Sequence, residues 1–126
     1  MKFILATLAG ICSAYDAESK VVIDLYYESQ CPACRNQVSN NFKKAMETKG
    51  FLNMATVNFH PYGNARERLN AQGSWDFTCQ HGVAECQYNL LEACALNYQT
   101  DQIQTFEFLA CVEGKDTRTN YDTVAN

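Results

Sequence analysis

The tetrapeptide Cys31-Pro32-Ala33-Cys34 stands just beyond the β-branched and aromatic run Val21-Val22-Ile23-Asp24-Leu25-Tyr26-Tyr27. That juxtaposition limits the possible folds more than any other feature of the chain. The run predicts a mostly buried strand, and Glu28-Ser29-Gln30 a short turn. Pro32 suits the first position of a helix, where its missing N–H would have had no partner. Cys34, Val38, Phe42 and then Ala45 or Met46 recur at helical spacing as one apolar stripe. Lys43, Lys44 and Lys49 gather near the end, where cations suit the helix dipole, and Gly50 is a stop signal. Residues 54–59 alternate weakly and predict a second strand, which His60-Pro61-Tyr62-Gly63-Asn64 closes. Residues 20–60 therefore predict a strand–helix–strand unit, whose strands normally run parallel. The class is α/β.

This context gives the short motif a chemical meaning. A thiolate is the nucleophile of disulfide exchange, and the unpaired N–H groups of a first helical turn stabilise negative charge. Thiols so placed ionise in a range of roughly 3.5–7.5. Cys31 is accordingly expected to attack a substrate disulfide. Cys34, one turn deeper, is expected to resolve the mixed disulfide. The two bland readings are an inert bridge between Cys31 and Cys34 and half of a zinc site. Zinc would need two ligands from Cys79, His81, Cys86 and Cys94, and the spacing Cys79-x-His81-x4-Cys86 is not a common finger pattern. No metal or cofactor is expected.

Residues 1–14 have the form of a secretory signal peptide: Lys2, then the apolar run from Phe3 to Ile11, then Cys12-Ser13-Ala14 with small residues before a cut. Removing 14 residues from 126 leaves 112, enough for one domain spanning 15–126. The formal charge of −4 becomes −5 when Lys2 leaves, so the chain lacks an electrostatic footprint for nucleic acid. No other segment is long and apolar enough for a membrane span, so no membrane association is expected after cleavage. Seven cysteines become six, a dense and even set that suits an oxidising compartment.

Residues 63–82 are polar and Gly-rich and read as a loop, with Trp75 and Phe77 as its apolar anchors. Val83, Cys86, Leu90, Cys94 and Tyr98 predict the apolar face of one helix. Ile103, Phe106, Leu109 or Ala110 and Val112 predict that of a second, capped by Asp101 with Gln104 at the capping-box position and ended by Gly114. Residues 115–126 are polar. Cys86 and Cys94 lie about 12 Å apart on a continuous helix, too far for a bond. The four cysteines Cys79, Cys86, Cys94 and Cys111 allow three pairings. An antiparallel hairpin of the two helices slightly favours Cys86 with Cys111, leaving Cys79 with Cys94.

Residues 79–94 read Cys-Gln-His-Gly-Val-Ala-Glu-Cys-Gln-Tyr-Asn-Leu-Leu-Glu-Ala-Cys. This resembles the signature of the gamma-interferon-inducible lysosomal thiol reductase (GILT) family, C-Q-H-G-x2-E-C-x2-N-x4-C, with matches at Cys79, Gln80, His81, Gly82, Glu85, Cys86, Asn89 and Cys94. Leu25-Tyr26-Tyr27-Glu28, Pro61-Tyr62-Gly63-Asn64-Ala65 and Cys111-Val112-Glu113 are similar to the family as well. The resemblance covers roughly residues 20–113. It implies a thioredoxin-like fold, with the CxxC-bearing unit at 20–65 and a Cys-rich helical insertion at 79–113. It also implies reduction of protein disulfides in an acidic endosomal or lysosomal lumen, so disulfide-bonded proteins are the expected partners.

The signature is expected to be architecture rather than catalysis. His81 is expected to be a turn histidine bonding backbone beside Gly82, and His60 a strand-end residue. In thioredoxins a carboxylate placed somewhat as Asp24 is helps the resolving cysteine lose its proton; here a surface aspartate is the expectation. The only prolines are Pro32 and Pro61, so the cis-proline loop and later strands that the resemblance implies are not legible. The C-terminal half of that fold is expected to be missing, and the remainder marginally stable and weakly active. On that ground a secreted, non-catalytic binding module is the alternative function. No Asn-x-Ser/Thr sequon and no C-terminal retention tetrapeptide is present, so secretion is as well supported as lysosomal delivery.

Overall fold

The computed structural model describes residues 19–115. The expectations for the leader at 1–14 and for the polar tail beyond 115 lie outside those residues. Within them, β1 (Val21–Tyr27) runs parallel to β2 (Ala55–Pro61), with Val21 opposite Ala55 and Tyr27 opposite Pro61. The predicted strand–helix–strand unit is therefore present, with the second strand shifted slightly toward Pro61. β1 is less buried than its composition suggests. Ile23 and Leu25 are half-buried and Tyr27 is buried, but Val21, Val22 and Tyr26 face solvent. The two-residue period of a strand places Val22, Asp24 and Tyr26 on one exposed face, while Val21 is exposed as the first residue of the strand. On that outer face Tyr26 stacks on His60 with ring centroids 4.4 Å apart. Asp24 accepts hydrogen bonds from Asn58 (2.9 Å) and His60 (3.0 Å). Those bonds hold the Asp24 carboxyl below the usual carboxylate range. Asp24 is the surface residue the sequence suggested.

Beyond Cys31 the chain winds as α1 (Pro32–Asn36), a π-helical stretch Gln37–Phe42, and α2 (Lys43–Glu47). The wide π turn follows a polar run. Asn40 bonds Asn36, Asn41 bonds Gln37, and the Ser39 hydroxyl donates to the Arg35 carbonyl. Such turns are uncommon and tend to accompany functional sites. Gly50, at φ +88°, reverses the chain into the short α3 (Phe51–Met54) and then β2. Tyr27, Val38, Val57, Phe59, Phe106 and Leu109 form the core, with Cys34 packed against it. Each large apolar side chain fully buried there stabilises the fold by about 1.5–3 kcal/mol.

Two expectations are corrected. The stretch read as a loop contains an antiparallel hairpin, β3 (Arg66–Leu69) with β4 (Trp75–Thr78), in which Leu69 faces Trp75. Trp75 and Phe77 remain exposed, so they do not anchor it in the core. Every residue of both strands is exposed, so no buried/exposed alternation marks them. The second correction concerns α4 (Val83–Tyr98). The apolar face predicted for it points outward: Val83, Leu90, Cys94 and Tyr98 are exposed, while Glu85, Tyr88, Asn89 and Glu92 are buried. Polar partners on β1 and in the turn after it, described below, draw that face inward. α5 (Gln102–Gly114) follows the prediction closely. Asp101 caps it by accepting from the N–H groups of Ile103 and Gln104 (both 2.9 Å), and Phe106, Leu109 and Val112 are buried. Ile103 alone of the predicted stripe is exposed. Among the described residues no helix is long and apolar enough to cross a membrane.

Candidate functional site

Cys31 occupies the N-cap of α1, with Pro32 opening the helix. Its N–H donates to the Glu28 carbonyl (3.2 Å) and its carbonyl accepts from the Arg35 N–H (2.9 Å). Turn and helix thus fix its backbone on both sides. Cys31 and Cys34 are both half-buried and neither is disulfide-bonded. The two sulfurs differ in surroundings. Cys34 lies against the core, and burial, with a hydrogen bond to Cys31 as a smaller cause, pushes its thiol up to about 11.

The turn that presents Cys31 is built from residues far away in sequence. Ser29 donates its N–H to Asn89 Oδ1 (3.0 Å) and its hydroxyl to the Glu85 carbonyl (3.2 Å). Glu28, buried, accepts the Asn64 N–H at 2.7 Å. Gly63, at φ +55°, is required twice: for its left-handed backbone and because a Cβ there would collide with the Glu28 side chain. Asn64 Nδ2 donates in turn to Gln80 Oε1 (3.0 Å), and the Gln80 N–H donates to Glu85 Oε1 (2.9 Å). The sequence elements 25–28, 61–65 and 79–94 thereby close around one turn.

His81 departs from its expected part. Its Nδ1 pairs with the Glu85 carboxylate and lies 3.4 Å from Glu28 Oε2, so it bonds carboxylates instead of backbone. A ring nitrogen of His81, a Glu28 carboxylate oxygen and the Cys31 sulfur all lie within 4.8 Å of one another. The imidazole of this group already has two carboxylate partners. No local signal in the sequence links His81 to Glu28 or Cys31. Only the fold joins them.

The expected pairing of Cys86 with Cys111 is overturned, and with it that of Cys79 with Cys94. Cys79 bonds Cys86, with Cα atoms 5.6 Å apart. The helix-length argument applied only within α4. Cys79 lies before it, and the turn at Gly82 (φ +94°) folds it back over the first helical turn. Cys94 and Cys111 are free and exposed. Cys86 also lines a mainly apolar groove of about 300 Å³ with Pro61, Tyr62, Ala65, Phe77 and Leu90.

Behind the dithiol lies a second acidic group. The Tyr27 hydroxyl donates to Glu92 Oε2 at 2.5 Å, and Glu92 and Glu113 meet carboxyl to carboxyl. Glu92 is fully buried and Glu113 is 2 % exposed. Glu92 Oε1 and both Glu113 oxygens lack a hydrogen-bond partner as ionised acceptors. Burial raises both carboxyls above the ordinary range, and the neighbouring Glu92 charge raises Glu113 further. The pair therefore retains protons where surface carboxylates have lost them. Arg35 Nε donates to the Glu113 main-chain carbonyl (3.0 Å), which ties α1 to this group. The sequence points to a surface acid at Asp24 and to no buried one; the structure buries Glu92 on α4 and Glu113 on α5.

Comparison with known proteins bears on the whole arrangement. Residues 22–126 match the family model described as gamma interferon inducible lysosomal thiol reductase. The chain is 42% identical over 97 residues to "Gamma-interferon-inducible lysosomal thiol reductase" of Mus musculus, covering 76% of this chain and 37% of that protein. It is 38% identical over 99 residues to "Gamma-interferon-responsive lysosomal thiol protein" of Arabidopsis thaliana, covering 79% and 40%. To "GILT-like protein 2" of Drosophila melanogaster it is 37% identical over 100 residues, covering 79% and 46%. The chain thus spans less than half the length of these relatives. With the family pattern running from residue 22 to residue 126, the chain belongs to the gamma interferon inducible lysosomal thiol reductase family.

Proposed function

We propose that this chain is a thiol–disulfide oxidoreductase that reduces protein disulfides through Cys31 and Cys34. The observation that carries the reading is the asymmetry of a free dithiol at a strand-to-helix turn. Cys34 is pressed against the core and keeps its proton, which leaves Cys31 as the attacking sulfur. Family membership supports the same chemistry. The parallel β1–β2 unit supports a thioredoxin-like frame for it.

The Cys31 thiolate attacks one sulfur of the substrate disulfide. A mixed disulfide forms, and the other substrate sulfur leaves as a thiolate that solvent protonates. Cys34 then loses its proton and attacks the Cys31 sulfur. The Cys31–Cys34 disulfide forms and the second substrate thiol is released. The substrate gains two electrons and the dithiol loses two, so an external thiol must restore it. The names of the relatives support a lysosomal setting, and an acidic endosomal or lysosomal lumen is the setting proposed; secretion outside the cell fits the leader-like N-terminus. Acid unfolds many substrates and exposes their disulfides to such a reagent.

The test is reduction of a disulfide-bonded protein such as insulin at about pH 4.5, where an ordinary thiol is almost wholly protonated. Cys31→Ser is expected to abolish turnover, and Cys34→Ser to trap the substrate as a mixed disulfide on Cys31. Turnover that survives Cys31→Ser would overturn Cys31 as the attacking thiol, and no turnover by the unsubstituted chain would favour a binding module.

A further inference from the structure

We propose that His81 is the charge partner of Cys31: its imidazolium, seated between Glu28 and Glu85, offsets the Glu28 carboxylate beside the Cys31 sulfur and keeps that sulfur reactive in acid. This rests on the reading of Cys31 as the attacking thiol.

The argument starts from the surroundings of the sulfur. The Glu28 carboxylate, the His81 ring and the Cys31 sulfur lie within 4.8 Å of one another. Glu28 is 3 % exposed and pinned by the Asn64 N–H, with Gly63 leaving the space it fills. Glu85 is fully buried and pinned by the Gln80 N–H. Neither acid can swing away from a developing thiolate. A negative sulfur there would meet Glu28 at close range and Glu85 just behind it, and like charges disfavour ionisation. The groups facing this set from other elements do not offset them. Glu113 on α5 keeps its proton and brings no cation to the set. Arg35 on α1 directs its Nε to the Glu113 carbonyl. Cys34 retains its proton. His81 is the cation in contact with both Glu28 and Glu85.

An imidazole is charged in acid and loses its charge around neutrality. The device therefore works in the acid range, where a thiol most needs help. The position of the ring is fixed from both sides of its loop, since the Cys79–Cys86 bond brackets residues 80–85. His81 is itself about one-third exposed, so an approaching disulfide can reach the pair.

The test is the rate of iodoacetamide alkylation at Cys31 across about pH 4.5–8.5, read peptide by peptide because Cys94 and Cys111 are also free. Cys34→Ser serves as the background. His81→Gln keeps a hydrogen-bonding side chain and removes the charge. It is expected to slow acid-side alkylation about tenfold or more, as for an opposite charge lost at this range, with the rates converging at the alkaline end. Superimposable profiles overturn the proposal. A purely structural role would lower the melting temperature and leave the profile unmoved.

If His81→Gln fails to fold, the unsubstituted chain decides. The NMR titration midpoint of the His81 ring should fall when Cys31 is alkylated, because the negative sulfur is gone; an unchanged midpoint overturns the proposal. The two readings fail separately. A His81-dependent alkylation profile together with reduction that survives Cys31→Ser sinks the role of Cys31 in reduction alone. Reduction that requires Cys31, with a profile indifferent to His81, sinks the charge partner alone.

Discussion

Two acidic groups flank the dithiol, and they are built on opposite principles. In front, Glu28 and Glu85 each receive a main-chain N–H and share His81. Behind, Glu92 and Glu113 are as deeply buried, yet only one of their four oxygens has a donor, the Tyr27 hydroxyl. Each carboxyl of the front pair is answered by donors. The rear pair must keep protons, because an unanswered charge in an apolar interior is costly. Burial alone thus does not decide the state of a carboxyl; the donors that reach it do.

The strongest way to break the front group is Gly63→Ala. The new Cβ collides with Glu28 and the residue is forced to hold a positive φ. A loss of about 2–4 kcal/mol is expected in denaturant unfolding, with Cys31 chemistry lost in whatever remains folded. A wild-type midpoint would mean that Glu28 is not seated there.

The rear group is opened by Tyr27→Phe, which removes the donor to Glu92. A destabilisation of about 1–3 kcal/mol is expected, and larger at neutral pH than in acid. An equal loss at both would show that the protonation of the pair does not change over that range.

pH itself separates the groups. Glu92 and Glu113 have folded values raised above the ordinary 4.5. Their contribution is therefore complete below that value and is lost as pH rises from it through neutrality. The melting temperature is expected to fall by about 5 °C or more between pH 5 and 8. Glu92→Gln with Glu113→Gln should flatten that slope; a slope kept by the double variant would assign it elsewhere. The smallest effect is expected at Asp24, outside both groups. Its hydrogen bonds lie on the exposed face, and Asp24→Ala should leave melting and reduction within experimental scatter.

What the sequence made legible was what repeats locally. The strand–helix–strand unit, α5 and its Asp101 cap follow from apolar spacing and one capping side chain. α4 was legible as a helix but not in its orientation, because its buried face carries Glu85, Asn89 and Glu92 and its apolar face is outside. Glutamates on a helix look like a solvated face until their partners are known, and Tyr27 and Ser29 lie some 60 residues away. The β3–β4 hairpin left no trace because no residue of it is buried. His81 was legible as a motif letter only. Its neighbours Glu28 and Cys31 are set beside it by the chain's return across the sheet.

The bond between Cys79 and Cys86 is separated by only seven positions, and its consequence concerns timing. A cross-link that short needs nothing from the far helix, so it can close while residues 102–114 are still unmade. It restrains the unfolded chain less than the longer loop from Cys86 to Cys111 would. Its benefit to the molecule is therefore local: a brace on the loop bearing the imidazole, set in place before the rest of the protein arrives.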